Sequence, residues 1–286
     1  MRPLPQWNPV ALSQSPLFAP LRPMLARLPL DRFPTLADCN ALLAKHHPTL
    51  TTLGGQAARF VAQAPGKLPF AEQYEPRCYL KGEIQTRDDN WHDLFNALVW
   101  LTFPNSKSRI NARHYHALQK KSQAADPGNH TTRSQRGSLR DANTLLDESG
   151  VIVVYSDESL AELLREFSWK ALFWQQREQV KQKMGFYLFG HGLCEKALAP
   201  YIGMTGQGIL LPVADDFFAW SLTQRLTHID ERLSDHLSDT ENSSNTTQFS
   251  PVPLLGIPGW SPDNEAADYY DNTAYFRPKR IKSAVL

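Results

Sequence analysis

The sequence has little cysteine, no long hydrophobic run and almost no net charge. Its three cysteines are far apart and form no C-x-x-C pair, which argues against a zinc ribbon and a secreted disulfide framework. The densest apolar runs, 97–101 and 209–213, are much shorter than the roughly 20 residues that a membrane helix needs. We therefore expect no membrane insertion. The formal net charge of +1 indicates no global attraction to nucleic acid or to an anionic membrane.

Several familiar motifs are missing as well. The sequence contains no G-x-x-x-x-G-K-[ST], no G-x-G-x-x-G after a strand, no G-x-S-x-G and no H-E-x-x-H. We therefore expect no nucleotide cofactor. Prolines interrupt the N-terminal residues before an apolar segment could form, so this region does not resemble a signal peptide. A cytoplasmic location is the expectation.

The composition is that of a globular protein, and proline divides it. Hydrophobic residues make up 42% of the 286 positions, enough for a sizeable core. Residues 1–34 hold eight of the 21 prolines, which exclude helix interiors and central strands. We expect an extended, proline-rich N-terminal arm over 1–34 that docks on the rest. Residues 35–286 are predicted to form a single mainly helical domain, with polar loops near 122–138 and 236–250.

Helical signals dominate this domain. Residues 90–104 read N-W-H-D-L-F-N-A-L-V-W-L-T-F-P, in which Asn90 is a good N-cap and Pro104 ends a helix that is apolar almost all round and hence buried. Further helices are predicted over 36–45, 55–64, 106–121, 160–180, 186–198 and 216–235. Apolar runs on either side of a turn ending in Gly150 predict a hairpin of 143–146 with 151–155. The predicted fold class is α+β, a mainly helical body with one small β-hairpin or short antiparallel sheet.

The polar start of the buried helix is the first candidate site. His92 and Asn96 are four residues apart and share a helix face, with Asp93 about 100° away. Polar groups in an apolar helix carry a desolvation cost unless partners satisfy them. They form either a capping network or a catalytic or metal-binding cluster.

The second candidate is the pair His191 and Glu195, also four residues apart. This spacing lets two ligands on one helix meet one metal, although it is equally an ordinary contact on a helix surface. Gly190 and Gly192 beside the histidine permit the close approach of another backbone.

The third candidate is acidic. Asp141, Asp147 and Glu148 lie around the predicted hairpin and can converge on a cation as oxygen ligands. Turn chemistry explains Asp147 and Glu148 equally well. Arg140 either holds an anion or pairs with Asp141.

Basic residues concentrate in segment 107–140, although the net charge of the whole chain is close to zero. This segment also contains His114, which lies one turn beyond Ile110 and so faces inward. Cations beside carboxylates and histidines suit a phosphoester hydrolase, in which cations hold phosphate and carboxylates hold metal. A solvated helix face explains the segment too.

Four blocks resemble an uncharacterised proteobacterial family known only as a domain of unknown function. They are N-W-H-D-L-F-N-A-L-V-W-L-T-F-P at 90–104, R-D-x-x-T-L-L-D-E-x-G at 140–150, F-G-H-x-L-x-E-K at 189–196 and L-G-I-P-G-W-S-P-D-N-E at 255–265. The resemblance covers most of the chain from about residue 70 to 278 and implies one full-length domain. It implies no reaction.

Two hypotheses remain. The first is a metal-assisted hydrolase that binds zinc, manganese or iron and acts on an anionic or phosphorylated substrate. Its predicted metal ligands are His92, His191 and Glu195. Its catalytic groups are His92, Asp93 and Asp141, and its substrate-binding groups are Asn96, His114 and Arg140. The second hypothesis is a non-catalytic helical binding protein whose basic segment 107–140 docks an acidic partner or nucleic acid.

Overall fold

The mainly helical α+β class is confirmed. The computed structural model describes residues 5–123 and 130–279, without the side chains of 121–123 and 130–137. The α-helices are α1 (Pro9–Gln14), α2 (Arg22–Leu25), α3 (Leu36–His46), α4 (Tyr74–Lys81), α5 (Trp91–Thr102), α6 (Pro104–Gln123), α7 (His130–Ser149), α8 (Glu158–Arg165), α9 (Arg177–Lys183), α10 (His191–Lys196) and α11 (Leu222–His236). The strands are β1 (Arg59–Ala62), β2 (Glu83–Thr86), β3 (Gly150–Tyr155), β4 (Met184–Leu188), β5 (Thr205–Pro212) and β6 (Ser250–Pro253). Among the described helices, none is long and apolar enough to cross a membrane.

Two small sheets accompany the helices. β1 and β2 form a parallel pair, and the other strands form a sheet in the order β4-β3-β5-β6. In that sheet β3 runs antiparallel to β4 and parallel to β5, and β5 runs antiparallel to β6. All six residues of β3 are buried, as expected for a central strand that reads as a continuous run of Val and Ile.

α5 lies at the centre of the molecule. The side chain of Asn90 caps it, and its residues from Leu94 to Leu101 are all buried. The N-terminal segment packs on it, with the rings of Phe18 and Phe95 stacked at 5.5 Å. The predicted burial of this helix on all sides is therefore confirmed.

α6 is held at its start by a side chain from α11. Because Pro104 has no N–H, the first free donors of the helix are the backbone N–H groups of Asn105 and Ser106. Both donate to the carboxylate of Asp230, at 2.9 and 2.8 Å. This contact holds α6 in position, and α6 carries Lys107 and His114, which face the candidate site.

The expected extended arm contains helices instead. Over residues 5–34 the chain forms α1, a 3-10 helix (Pro16–Leu21) and α2. Proline at the first positions of these short helices is compatible with their missing N–H groups. Leu17, Leu21 and Leu25 of this segment are buried in the common hydrophobic core.

The predicted hairpin is wrong. Residues 143–146 belong to α7, where Ala142 and Leu146 are buried one turn apart, and β3 pairs with strands that are distant in sequence. The predicted polar loop near 122–138 is wrong over 122–123 and 130–138, which are helical, and its residues 124–129 lie outside the described part of the chain.

Three predicted helices also differ. Residues 59–62 of the predicted helix 55–64 are β1, and residues 186–188 of the predicted helix 186–198 belong to β4. The predicted helix 160–180 is interrupted at Phe167, whose φ is 57°.

Candidate metal centre

The ligand candidates come from the ends of three helices that meet. The side chain of Asn90 accepts a hydrogen bond from the backbone N–H of Asp93 (3.0 Å), so His92 lies in the first turn of α5. His191 is the first residue of α10, and Glu148 is the last but one of α7. α10 packs against both α5 and α7, which brings the three side chains together.

Two glycines at the start of α10 permit its approach to the end of α7. A Cβ atom at Gly190 would lie 2.4 Å from the backbone nitrogens of Ser149 and Gly150. A Cβ atom at Gly192 would lie 2.2 Å from Oε2 of Glu148. The expectation of a close backbone is confirmed at Gly190, whereas the space beside Gly192 is occupied mainly by the carboxylate of Glu148.

The nitrogen and oxygen atoms of the three side chains converge. The Nε2 atoms of His92 and His191 are 3.0 Å apart, and Oε1 of Glu148 lies 3.8 Å from the first and 3.6 Å from the second. Two imidazole nitrogens on one metal, each about 2.0–2.1 Å from it, stand roughly 2.9–3.4 Å apart, so the histidines already have ligand spacing. His92, Glu148 and His191 form a group that could hold a metal ion, since their ligand atoms all lie within 4.8 Å of one another.

Glu195 lies behind His92. Its Oε2 is 3.1 Å from Nδ1 of His92. An ionised carboxylate only accepts hydrogen bonds, so Nδ1 carries the proton and Nε2 keeps a lone pair that faces His191. His191 and Glu195 therefore share α10 as expected, but Glu195 orients His92, and Glu148 completes the convergent group.

Burial shifts the pKa values of the ionisable side chains at the candidate centre. Desolvation lowers the pKa of His191 to about 4, against the opposing charge of Asp147, so the imidazole is in the neutral form that binds metals. Desolvation also raises the pKa of Glu148, although His92 acts in the opposite direction. For Asp147, desolvation is outweighed by the charge and hydrogen bond of Lys107, and the pKa of this carboxyl is lowered.

A polar cavity of about 230 Å³ opens beside these groups. Besides the three ligand candidates it is lined by Gln63, Tyr74, Glu75, Gln85, Arg87, Asp93, Asn96 and Asp147. Asn96 donates to the Tyr74 hydroxyl (2.7 Å), and Asn111 donates to Oε2 of Glu75 (2.5 Å). Desolvation raises the pKa of Glu75.

A smaller cavity of about 150 Å³ adjoins the first. It shares Glu75, Asp147 and Glu148 with the larger one and adds His114 and Arg140 to the lining. Three predicted substrate-binding residues therefore line cavities at the candidate centre: Asn96 the larger, His114 and Arg140 the smaller.

Two predicted catalytic carboxylates lie differently. Asp93 accepts from Nη2 and Nε of Arg87 at 2.8 and 2.9 Å and from its backbone N–H at 2.7 Å, so both oxygens are engaged. Asp141 is exposed on α7, two turns or roughly 10 Å along the axis from Glu148. Within the described residues, the lining of both cavities lacks Asp141.

Among the lysines and arginines of the basic segment whose side chains the structure describes, two are buried. Lys107 is 2% exposed and pairs with Asp147. Arg113 is also buried and donates to the carbonyls of Leu237, Asn242 and Ser243. Neither cation can contact a docked acidic partner from these positions.

Sequence reasoning gave too little weight to Glu148 and missed Lys107 and Glu75. The motif Asp147-Glu148 was one available signal, but a hairpin turn explains it as well. The position of Glu148 at the end of α7 distinguishes the two interpretations. No sequence pattern marked Glu75, which lies in α4 next to the 3-10 helix Phe70–Glu72.

The comparisons assign a family. Comparison with curated proteins and with solved structures gives no match. A family model described as "Protein of unknown function (DUF3025)" matches residues 58–280, which is most of the chain and bears out the resemblance to a domain of unknown function. The chain therefore belongs to the DUF3025 family.

Proposed function

We propose that the protein is a metal-dependent hydrolase that acts on a small anionic substrate. The observation that carries the proposal is the convergence of His92 Nε2, His191 Nε2 and the Glu148 carboxylate at the wall of a polar cavity. Two imidazole nitrogens and one carboxylate oxygen suit zinc, manganese or iron. Three protein ligands leave a coordination position open, which is typical of catalytic sites and not of structural ones.

A divalent metal in such a site lowers the pKa of a bound water and polarises a substrate oxygen. The chain supplies what surrounds it. Glu195 orients His92, and the ion pair of Arg87 with Asp93 holds the loop before α5. Glu75, held by Asn111 between the two cavities, is the carboxylate that we assign to general acid–base transfer.

The cavities set the substrate class. Together they accommodate only a small molecule, and their lining is mostly polar. Arg140 and His114 line the smaller cavity beside Glu148, so an anionic group there lies next to the ligand cluster. This arrangement supports a phosphate or carboxylate on the substrate.

Hydrolysis of p-nitrophenyl phosphate by chelator-treated protein, with each metal added back, tests the proposal. We expect negligible turnover without metal and recovery with zinc, manganese or iron. His191→Ala should abolish recovery, whereas His116→Ala should not, because His116 is an exposed histidine of α6 that lines neither cavity among the described residues. Arg140→Ala should raise KM more than it lowers kcat.

Metal binding is measured on the same samples. If none of the three metals binds to the wild-type protein, the proposal is overturned. If one binds at His92 and His191 but p-nitrophenyl phosphate and a matching carboxylic ester both remain intact, the hydrolase part is overturned and the metal site stands.

A further inference from the structure

We infer that Asp147, fixed by the buried cation of Lys107, is a positioning residue for His191, as Glu195 is for His92. Each ligand histidine then has a carboxylate on the ring nitrogen that faces away from the metal. The inference rests on the proposed metal site. It adds Lys107 and Asp147 to that site, two charged side chains that no sequence pattern connects.

The ion pair lies directly behind His191. Lys107 is buried on α6, and its Nζ donates to Oδ1 of Asp147 on α7. The other oxygen, Oδ2, lies 3.8 Å from Nδ1 of His191. This distance is longer than a hydrogen bond, although Oδ2 has no other bond to a described residue.

His191 has a buried ring nitrogen that lacks a side-chain partner. Nδ1 makes no hydrogen bond to a side chain of the described residues, and the nearest polar group of this kind is the Asp147 carboxylate, whereas Nε2 lies 3.0 Å from Nε2 of His92. The other ring nitrogen, Nδ1, faces away from the ligand cluster and towards the carboxylate of Asp147. This position is the one from which an outer carboxylate orients a ligand histidine.

Metal binding would make use of this arrangement. If both Nε2 atoms held an ion, the neutral ring of His191 would carry its proton on Nδ1 and could donate it to Oδ2 of Asp147 after the atoms approach by a little under 1 Å. The tautomer that a metal requires is thus the one that gives the buried Nδ1 its partner. Outer carboxylates of this kind fix ring orientation, and their loss typically lowers metal affinity 10- to 100-fold.

A double variant separates positioning from folding. Replacing a buried ion pair by apolar residues of similar size is often neutral for stability. We therefore expect Lys107→Met with Asp147→Leu to keep the urea midpoint of the wild type while zinc affinity falls 10- to 100-fold. The matched control removes the exposed pair Lys170 and Asp271, which lies outside both cavity linings, and should leave zinc affinity unchanged.

Glu195 offers the conservative comparison. Glu195→Gln keeps an oxygen that accepts from Nδ1 of His92 and should retain most of the affinity, whereas Glu195→Ala should lose 10- to 100-fold. If Gln and Ala reduce affinity equally, positioning by this hydrogen bond is overturned.

The outcomes distinguish the two proposals. If the wild-type protein binds no zinc, the proposed function fails. If it binds zinc and the double variant, still folded, binds equally well, the positioning role of Asp147 fails and the metal site stands.

If the double variant does not fold, a two-bond ¹H–¹⁵N spectrum of the zinc-loaded wild-type protein tests the positioning role of Asp147 instead. We expect a proton on Nδ1 of His191 that exchanges slowly with water. An Nδ1 proton that exchanges as fast as that of exposed His116 contradicts the inference.

Discussion

Gly192→Ala should weaken metal binding without weakening the fold. The added Cβ atom would stand 2.2 Å from Oε2 of Glu148, the mobile end of a side chain, and 3.1 Å from the backbone oxygen of the same residue. To regain van der Waals contact, the carboxylate must retreat by roughly 1 Å. The convergence of Oε1 on His92 and His191 is then lost, since sites tolerate only about 0.5 Å of displacement.

The magnitude follows from what one ligand contributes. Zinc sites with four protein ligands gain about 10–16 kcal/mol in all, so displacing one ligand costs on the order of 3 kcal/mol, or about 100-fold in affinity. Alanine in place of glycine in a helix contributes about 0.5–1 kcal/mol to stability. Gly192→Ala should therefore have a urea midpoint equal to or above that of the wild type, and a zinc affinity about 100-fold lower.

Competition with a chromophoric chelator measures the affinity, and urea unfolding followed by circular dichroism measures the stability. Gly190→Ala is the contrasting variant, because its Cβ would meet backbone nitrogens 2.4 Å away and not a side-chain end. That variant should lose stability as well as affinity. Unchanged zinc affinity in a folded Gly192→Ala protein would refute the assignment of Glu148 as a ligand.

Two further predictions concern the frame around the site. Asp230→Ala leaves the backbone donors of Asn105 and Ser106 without partners at the start of α6. We expect the free energy of unfolding in urea to fall by about 2–4 kcal/mol, and by less for Asp230→Asn. No loss would show that this cap is dispensable. The hydrogen bond from Arg77 holds the pKa of Glu83 below its ordinary value. The ionised Glu83 carboxylate therefore stabilises the fold above about pH 4.5, and this stabilisation is lost as the pH falls through the lowered pKa. The stability difference between wild type and Glu83→Gln should shrink between about pH 5 and pH 3, and a difference that grows there would contradict this sign.

Local signals predicted the elements that they determine. α5 follows from Asn90 as N-cap, a run of apolar residues and Pro104, and the structure has these bounds within two residues. α3 likewise begins after a side-chain cap, with Thr35 and Asp38 bonded reciprocally.

Tertiary packing decided the elements that were predicted wrongly. The apolar run 143–146 is compatible with a strand, but in the folded chain Ala142 and Leu146 lie one turn apart on the buried face of α7. Residues 184–188 become β4 because all five pair with residues 151–155 of β3, which no local pattern reveals.

The candidate site was predicted in part for the same reason. The sequence shows these polar side chains in apolar, glycine-flanked contexts, and for that reason His92 and His191 were expected to meet. Their Nε2 atoms are in contact in the structure. The third convergent group depends on where α7 ends. A helix through Ser149 directs Glu148 at the histidines and leaves Asp141 exposed, whereas the predicted hairpin would have placed Glu148 in the turn and Asp141 before the first strand.

Anomalous diffraction at the zinc edge, from crystals grown with zinc, tests the central claim most directly. The account predicts one strong peak about 2.0–2.2 Å from Nε2 of His92, Nε2 of His191 and a carboxylate oxygen of Glu148. A peak bound elsewhere in the cavity, or two Nε2 atoms that remain hydrogen-bonded with no peak between them at saturating zinc, would contradict it.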